Sequence, residues 1–221
     1  MENKLIPKLR FAEFTGDWNE KELGEYFEFK NGVNASKEEY GSGYKFINVL
    51  DIINNDYITS EVIIGKVNIS DEVFQKNIVK YGDILFQRSS ETREEVGQSN
   101  VYLDKEKNAT FGGFVIRGSG IVDYNPSFMN FLLKTSKARK EITTKSGGST
   151  RYNVGQGTLK KVKIKITNLL SEQTKIATFL TAVDKRIKLL QEKKAELEQY
   201  KKGVMQKLFS QTLRFKDEDG K

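Results

Sequence analysis

A heptad pattern running through residues 171–208 constrains the fold of this chain more than any other feature. Over nearly five heptads, steps of four and three residues connect ten positions, of which eight are apolar. Such a pattern predicts a helix that pairs with a second helix. An amphipathic helix packed on its own domain is the alternative. However, at ~1.5 Å per residue the predicted helix is about 50 Å long, which favours a dimerisation arm. The predicted seam positions are Ile176, Leu180, Val183, Ile187, Leu190, Lys194, Leu197, Lys201, Val204 and Leu208.

The composition excludes several kinds of chemistry. The 221 residues include no cysteine and no histidine. Disulfides, thiolate or histidine zinc sites and catalysis through a histidine base are therefore excluded. No apolar segment approaches the roughly 18 residues of a transmembrane helix, and residues 1–10 lack the apolar core of a signal peptide. We expect a soluble, cytoplasmic protein.

Basic residues are concentrated in one segment of the chain, whose formal net charge is +7. Residues 1–133 carry 15 lysines and arginines against 21 acidic residues, whereas residues 134–165 carry ten against one, Glu141. This is the distribution expected of a surface that binds a polyanion. A solvated lysine-rich face has the same composition, so charge alone leaves both interpretations open.

Within the basic segment, a glycine-rich loop at residues 145–157 has the composition of a nucleic-acid contact surface. Its sequence is KSGGSTRYNVGQG. Glycine lets the backbone approach a phosphate, hydroxyl and backbone N–H groups bind phosphate oxygens, and arginine, asparagine and glutamine contact base edges. A nucleotide-binding P-loop is disfavoured, because the segment lacks Gly-Lys-Ser/Thr directly before a helix. The candidate DNA-contacting residues here are Lys145, Ser149, Thr150, Arg151, Tyr152, Asn153 and Gln156.

Two further groups of residues are candidates for the same surface. A polar loop, QRSSETREEVGQ, occupies residues 87–98 after a predicted strand, and a predicted helix just before the glycine-rich loop has lysines on its outer face. The polar loop is either a DNA-reading surface or an ordinary loop paired internally through Glu91, Glu94 and Glu95. The candidate DNA-contacting residues are Arg88, Ser89, Ser90 and Arg93 in the loop and Lys134, Lys137 and Lys140 on the helix.

The remaining pattern predicts a strand-rich first domain. Short runs of β-branched and aromatic residues bounded by glycine, asparagine or aspartate are typical of strands. These runs are residues 44–49, 57–64, 83–86, 111–116 and 162–166. The predicted helix begins at Asn125-Pro126, and its inner stripe is Phe128, Phe131, Leu132, Thr135, Ala138 and Ile142. We predict an α+β fold: a mixed domain over residues 1–170, a coiled-coil helix over 171–210 and a tail over 211–221.

Four motifs follow one another along the chain. They are Pro7-Lys8-Leu9-Arg10-Phe11 with Trp18 and Leu23-Gly24-Glu25; Gly82-Asp83-Ile84-Leu85-Phe86 with Arg88-Ser89-Ser90; Gly112-Gly113-Phe114-Val115-Ile116-Arg117; and Glu172-Gln173-x-x-Ile176-Ala177-x-Phe179-Leu180. Together they resemble a type I restriction–modification DNA specificity subunit, reduced to one of its two usual halves: one target recognition domain and one conserved spacer helix. Leu213-Arg214-Phe215 repeats Leu9-Arg10-Phe11, as the start of a truncated second repeat would.

The resemblance implies a function without catalysis, and we expect no catalytic residues, no metal and no cofactor. Members of this family read double-stranded DNA and hold adenine methyltransferase (modification) subunits. A motor-nuclease (restriction) subunit completes the assembly that restricts unmethylated DNA. For a half-length chain it implies a homodimer through the C-terminal helix that reads an interrupted palindromic site. The alternative is a truncated half that regulates or inhibits the complex by competing for methyltransferase or for a full-length specificity chain.

One further motif is related to a motif of an enzyme active site. Asn125-Pro126-Ser127-Phe128 is related to the Asn-Pro-Pro-aromatic motif with which adenine methyltransferases hold a flipped base. Ser127 departs from that motif, and no strand with a glycine-rich cofactor turn precedes it. We therefore expect these residues to begin a helix and not to form a catalytic site.

Overall fold

A computed structural model describes residue 7 and residues 9–148 and 150–215 of the chain. Contacts divide it into two compact units, one ending at Ala177 and the other beginning at Thr178. The strands in the described residues are β1 (Asn19–Glu22), β2 (Phe27–Asn31), β3 (Tyr40–Ile47), β4 (Lys66–Val67), β5 (Ile84–Gln87), β6 (Ser89–Ser90), β7 (Ser99–Val101), β8 (Thr110–Phe111), β9 (Val115–Gly120), β10 (Tyr152–Asn153) and β11 (Lys163–Ile166). The α-helices are α1 (Val49–Ile53), α2 (Asp71–Lys76), α3 (Pro126–Lys134), α4 (Ser136–Lys145), α5 (Gln156–Lys160) and α6 (Leu170–Phe209).

A four-stranded antiparallel sheet in the order β2-β9-β5-β7 lies between two hydrophobic cores of the first unit. Along β5, Ile84 and Phe86 belong to the larger core and Leu85 to the smaller one, and Ile116 and Val115 of β9 divide in the same way. Successive side chains of a strand point to opposite faces, so this sheet is buried on both sides. That explains why residues 84–86 of β5 are all apolar.

The segment after Asn125 forms two helices where the sequence predicts one. The Asn125 side chain accepts a hydrogen bond from the backbone N–H of Phe128 (2.9 Å), so α3 begins as expected. Thr135, predicted on the inner stripe, is exposed and extended (φ −65°, ψ 147°), and its hydroxyl accepts from the N–H of Ala138 (3.4 Å) to begin α4. A threonine hydroxyl competes with the helix for backbone partners. The single stripe is therefore wrong at Thr135, and Leu133 is buried instead.

The strand predicted at residues 57–64 is wrong. Ile58 makes one isolated bridge to Tyr102, and the segment then turns, with the backbone N–H of Ser60 donating to the carboxylate of Asp104 (3.1 Å). Apolar residues can reach the core from a turn as well as from a strand, so the run of β-branched residues did not distinguish the two.

The other predicted strands are confirmed in whole or in part. Those at 83–86 and 162–166 correspond to β5 and β11. The prediction at 44–49 ends early, because Asn48 caps α1. The prediction at 111–116 is divided between β8 and β9 by a turn. The sequence did not predict β1, which pairs antiparallel with β11 along its whole length.

A buried ion pair attaches the start of α6 to the rest of the first unit. Glu172 is fully buried, and its carboxylate accepts hydrogen bonds from Arg10 (2.7 and 2.8 Å) and from the indole N–H of Trp18 (3.2 Å). Gln173, also buried, accepts from the backbone N–H of Asn125 (2.8 Å). These contacts explain why Glu-Gln stands at the beginning of the helix.

The surroundings of Glu172 favour its ionised form. Burial opposes ionisation most strongly, but hydrogen bonds with Arg10, Thr167 and Trp18 outweigh it and hold the pKa of the carboxyl below its ordinary value. The pair therefore remains charged near neutral pH.

The described residues of the second unit are the rest of α6 and the segment that follows it. The predicted helix over 171–208 is confirmed as Leu170–Phe209. Contacts divide the chain after Ala177, inside α6. The division of domains at residues 170 and 210 stays a prediction, and most of the predicted tail, residues 216–221, lies outside the described residues.

Candidate nucleic-acid interface

Backbone pairing joins the two candidate loops, which lie far apart in the sequence. β6 pairs antiparallel with β10, so that Ser90 lies opposite Tyr152 and Ser89 opposite Asn153. The polar loop and the glycine-rich loop are therefore neighbours on one surface of the first unit.

The turn between β8 and β9 extends this pairing. The backbone N–H of Arg88 donates to the carbonyl of Phe114 (2.8 Å), and the carbonyl of Arg88 accepts from the N–H of Val154 (2.9 Å). On the far side, Gly147 and Asn153 exchange two hydrogen bonds (3.0 and 2.8 Å). Arg88 thus lies inside a continuous hydrogen-bonded ribbon. We call this surface the loop face and define it by the described residues of 87–98, 112–114 and 145–157.

Two tight positions on the loop face require glycine. Gly148 has φ +117°, which L side chains rarely adopt, and a Cβ there would lie 2.0 Å from the carbonyl oxygen of Arg151. Gly97 has φ +67°, and its Cβ would lie 2.4 Å from a methyl group of Ile142 on α4. These glycines allow the loops to lie close to each other and to the helix.

Arg139 on α4 anchors the polar loop from beneath. Its guanidinium donates to the carbonyls of Glu94 (3.0 Å), Val96 (2.7 Å) and Gly97. Burial lowers the pKa of Arg139. From the sequence, Arg139 was predicted only as one of the ten basic residues at 134–165. Its position next to buried Ala138, at the border of the inner stripe, was the available signal that it faces inward.

Arg93 connects the polar loop to the end of the same helix. Its guanidinium donates to the carbonyls of Thr143 (3.1 Å) and Thr144 (3.4 Å) in the last turn of α4. This is the negative end of the helix dipole, where a cation is stabilising. Arg93 therefore has a structural role but remains exposed.

Several predicted residues are exposed on the loop face. The side chain of Arg151 is 59% exposed, and its guanidinium lies 3.7 Å from the carboxylate of Glu91. Such an exposed pair is weak and leaves the guanidinium accessible. Ser149 lies outside the described residues. The exposed candidates on this face are Arg88, Arg93, Lys145, Thr150, Arg151 and Asn153, and Lys140 is exposed on α4.

Three other predicted residues make contacts within the fold. Ser90 is buried, and its hydroxyl donates to the carboxylate of Glu95 (2.9 Å), which lowers the pKa of Glu95. The ring of Tyr152 packs half-buried against the larger core. Gln156 begins α5, and with its amide nitrogen directed at the β2 backbone it donates to the carbonyl of Phe29 (3.0 Å). Internal pairing of the polar loop, the alternative from sequence, is thus present in part.

The two other helix lysines make their described contacts outside the loop face. The ammonium of Lys134 donates to the carbonyl of Asp56 (2.8 Å). Lys137 lies beside Lys165 of β11, and burial together with that neighbouring ammonium lowers the pKa of Lys137. Both side chains are exposed, so long-range attraction of a polyanion remains their available contribution.

The predicted seam of α6 is the second candidate site. Ile176 packs against the larger core and so belongs to the first unit. Farther along, Val183, Ile187, Leu190 and Leu197 are 39%, 47%, 51% and 56% exposed. Of the remaining seam residues, Leu180, Val204 and Leu208 are half-buried, and Lys194 and Lys201 are exposed.

The loop face has the chemistry of a nucleic-acid contact surface. It presents guanidinium, amide and hydroxyl groups on glycine turns, the groups that bind phosphates and base edges. In the part of the chain that the structure describes, no helix is long and apolar enough to cross a membrane, and no group of three or more acidic side chains is placed to hold a metal ion.

Comparison with known proteins assigns the chain to a family. Residues 15–199 match the model of the type I restriction modification DNA specificity domain, and the chain belongs to that family. Two proteins of Methanocaldococcus jannaschii named as type I restriction enzyme specificity subunits are similar in sequence. MjaX is 27% identical over 218 residues (92% of this chain, 48% of the relative), and MjaIX is 28% identical over 211 residues (92% and 46%).

Solved structures show the same fold. The chain matches a structure from work on complex assembly of the type I R-M system with a TM-score of 0.63 and 19% identity, covering 90% of this chain and 47% of that one. It matches the type I S subunit from M. genitalium with a TM-score of 0.60 and 18% identity, covering 93% and 49%. The chain therefore spans about half the length of the relatives it matches.

Proposed function

We propose that this chain is a non-catalytic, cytoplasmic DNA-specificity subunit of a type I restriction–modification system. It reads double-stranded DNA through the loop face and holds adenine methyltransferase subunits, and a motor-nuclease subunit joins when the assembly restricts. The observation that carries this proposal is the pairing of β6 with β10, which unites two candidate loops that the sequence separates. Family membership supports the same function.

Arg151 is the first residue to test. Arg151→Ala should weaken binding to the methylated site by about 1–3 kcal/mol and relax specificity at one position, as expected for a base-reading arginine. Lys66→Ala is the control, because Lys66 is exposed on β4, outside the loop face. If Arg151→Ala left both the affinity and the methylated sequence unchanged, the assignment of the loop face would be wrong.

We propose further that two copies pair antiparallel through the seam of α6. The exposed apolar residues of that seam support this, because burying them against a partner helix is favourable. Leu190→Lys should convert the dimer to a monomer in light scattering. The neighbouring residue Leu189 is equally exposed (49% against 51%) but lies off the seam, so Leu189→Lys should leave the dimer intact. A wild-type monomer at tens of micromolar protein would contradict the pairing.

A two-fold symmetric pair must read the same half-site on opposite strands. The target should therefore be an interrupted palindrome, with a non-specific spacer on the order of half a turn to one turn of DNA. Sequencing of modified adenines after co-expression with the companion methyltransferase tests this. An asymmetric bipartite site would mean that the working partner is a different half-subunit.

A regulatory role is the second candidate. In that case the chain competes for methyltransferase or for a full-length specificity chain. Reconstitution with methyltransferase alone separates the two functions. Methylation at a defined site supports the specificity subunit, whereas inhibition of a complete complex without methylation supports the regulator.

A further inference from the structure

Phe114 is an exposed aromatic side chain held on a rigid turn. It is 65% exposed, although its neighbour Val115 is fully buried. Its carbonyl accepts from the backbone N–H of Arg88 (2.8 Å), and the turn is closed by a bond from the N–H of Val115 to the carbonyl of Gly112 (2.9 Å). The backbone beneath the ring is therefore fixed on both sides.

The residue before Phe114 makes the turn tighter still. A Cβ on Gly113 would lie 1.9 Å from the side-chain oxygen of Asn34, so the turn is packed against the segment that follows β2. The carbonyl of Gly113 also accepts from the guanidinium of Arg88 (3.2 Å). The backbone of Phe114 is thus held in place while its ring is largely exposed to solvent.

The surroundings of Phe114 indicate what covers the ring. The backbone of Arg88 is hydrogen-bonded to Phe114 on one side and to Val154 of the glycine-rich loop on the other. Because hydrogen-bonded neighbouring strands lie ~4.8 Å apart, Phe114 is next to Arg88 and about two such spacings from Val154. Exposed guanidinium groups of Arg88 and Arg151 lie on the same face. An apolar ring among cations fits a partner that is both anionic and stacked, and a DNA duplex has both properties.

We propose that Phe114 is inserted at a base step of the bound duplex, beside the contact made by Arg88, and partly unstacks that step. Apolar wedges of this kind open and kink duplexes. The energy of stacking on the ring offsets part of the cost of opening the step. This inference rests on the proposed function of the loop face and names a contact within it.

The test uses the full chain and an unmethylated duplex carrying the methylation site, with 2-aminopurine, an adenine analogue that pairs with thymine, replacing each adenine of the site and its flanks in turn. Wild-type protein should raise 2-aminopurine fluorescence at one step, and Phe114→Ala should abolish that rise. Phe114→Ala should also bind about 5- to 150-fold more weakly, the equivalent of ~1–3 kcal/mol for a base–aromatic contact. Phe114→Tyr keeps the ring and should preserve the signal. Thermal unfolding should be unchanged, because the ring is exposed.

The salt dependence of DNA affinity distinguishes a charge contact from a stacking contact. Phe114→Ala should leave the slope of log affinity against log salt unchanged, whereas Arg88→Ala should reduce that slope by about one unit if Arg88 binds a phosphate. The inference is overturned, and the proposed function kept, if Phe114→Ala binds and signals like wild type while Arg151→Ala weakens binding. It is equally overturned if Phe114→Ala loses only methyltransferase binding. If wild-type protein binds no DNA, both fall.

Discussion

Replacing Arg139 with methionine should loosen the loop face without changing any of its exposed residues. Methionine has a similar length and can stay against the core, but it donates no hydrogen bond. The carbonyls of Val96 and Gly97, two buried residues, would lose a donor, whereas Glu94 is exposed and its carbonyl can turn to water.

We expect the free energy of unfolding to fall by about 2–4 kcal/mol in Arg139→Met. Each buried carbonyl left without a donor costs about 1–3 kcal/mol, and water replaces part of the loss at this half-exposed position. Affinity for DNA should fall as well, because the loop that contains Arg88 and Arg93 is then held to α4 only through Arg93. Urea unfolding followed by circular dichroism gives the first quantity, and fluorescence anisotropy of labelled duplex gives the second.

Lys140→Met is the matched control. Lys140 follows Arg139 on the same helix and is exposed. Replacing it with methionine removes the same charge but no contact to the polar loop. It should change stability little, and its loss of DNA affinity should be that of one candidate DNA-contacting lysine and its charge. If the two variants were equally stable and bound DNA equally well, the anchoring role of Arg139 would be refuted.

Three more predictions address separate parts of the chain. Glu172→Gln should destabilise the protein near neutral pH. The difference in unfolding free energy from wild type should shrink on acidification. Because the pKa of Glu172 is lowered in the folded state, its carboxylate stabilises the protein fully above the unfolded pKa of about 4.3, and this stabilisation is lost as the pH falls through the folded pKa. Urea unfolding at a series of pH values measures the difference, and a difference that stays constant would contradict the prediction. Gly148→Ala should weaken DNA binding in anisotropy titrations through the clash with Arg151, whereas Gly147→Ala, with nothing within 4 Å of its Cβ, should not. One heptad inserted into α6 should lengthen the DNA spacer or abolish methylation, and sequencing that found altered half-site bases would refute the spacer role.

The elements that were predictable from sequence depend on local regularity. The heptad pattern predicted α6 to within a residue at each end, because a periodicity repeated over many turns specifies a helix whatever it packs against. Asn125 as a cap and residues 162–166 as a strand follow from equally local rules, a side chain that binds its own backbone and a strict alternation. Composition likewise predicted that two loops contact nucleic acid, which stays a prediction.

Only the tertiary structure decided which segments meet. Nothing in residues 87–98 or 145–157 indicates that β6 and β10 pair, because strand pairing joins partners of any sequence separation through backbone groups that every residue carries. The inward direction of the Arg139 guanidinium was also decided by tertiary contacts, because the polar loop places three carbonyls within its reach. Residues 57–64 are a third case, since the carboxylate of Asp104, distant in sequence, favours a turn there. Local periodicity specifies an element, whereas the choice of its partner depends on contacts that form only once the chain has folded.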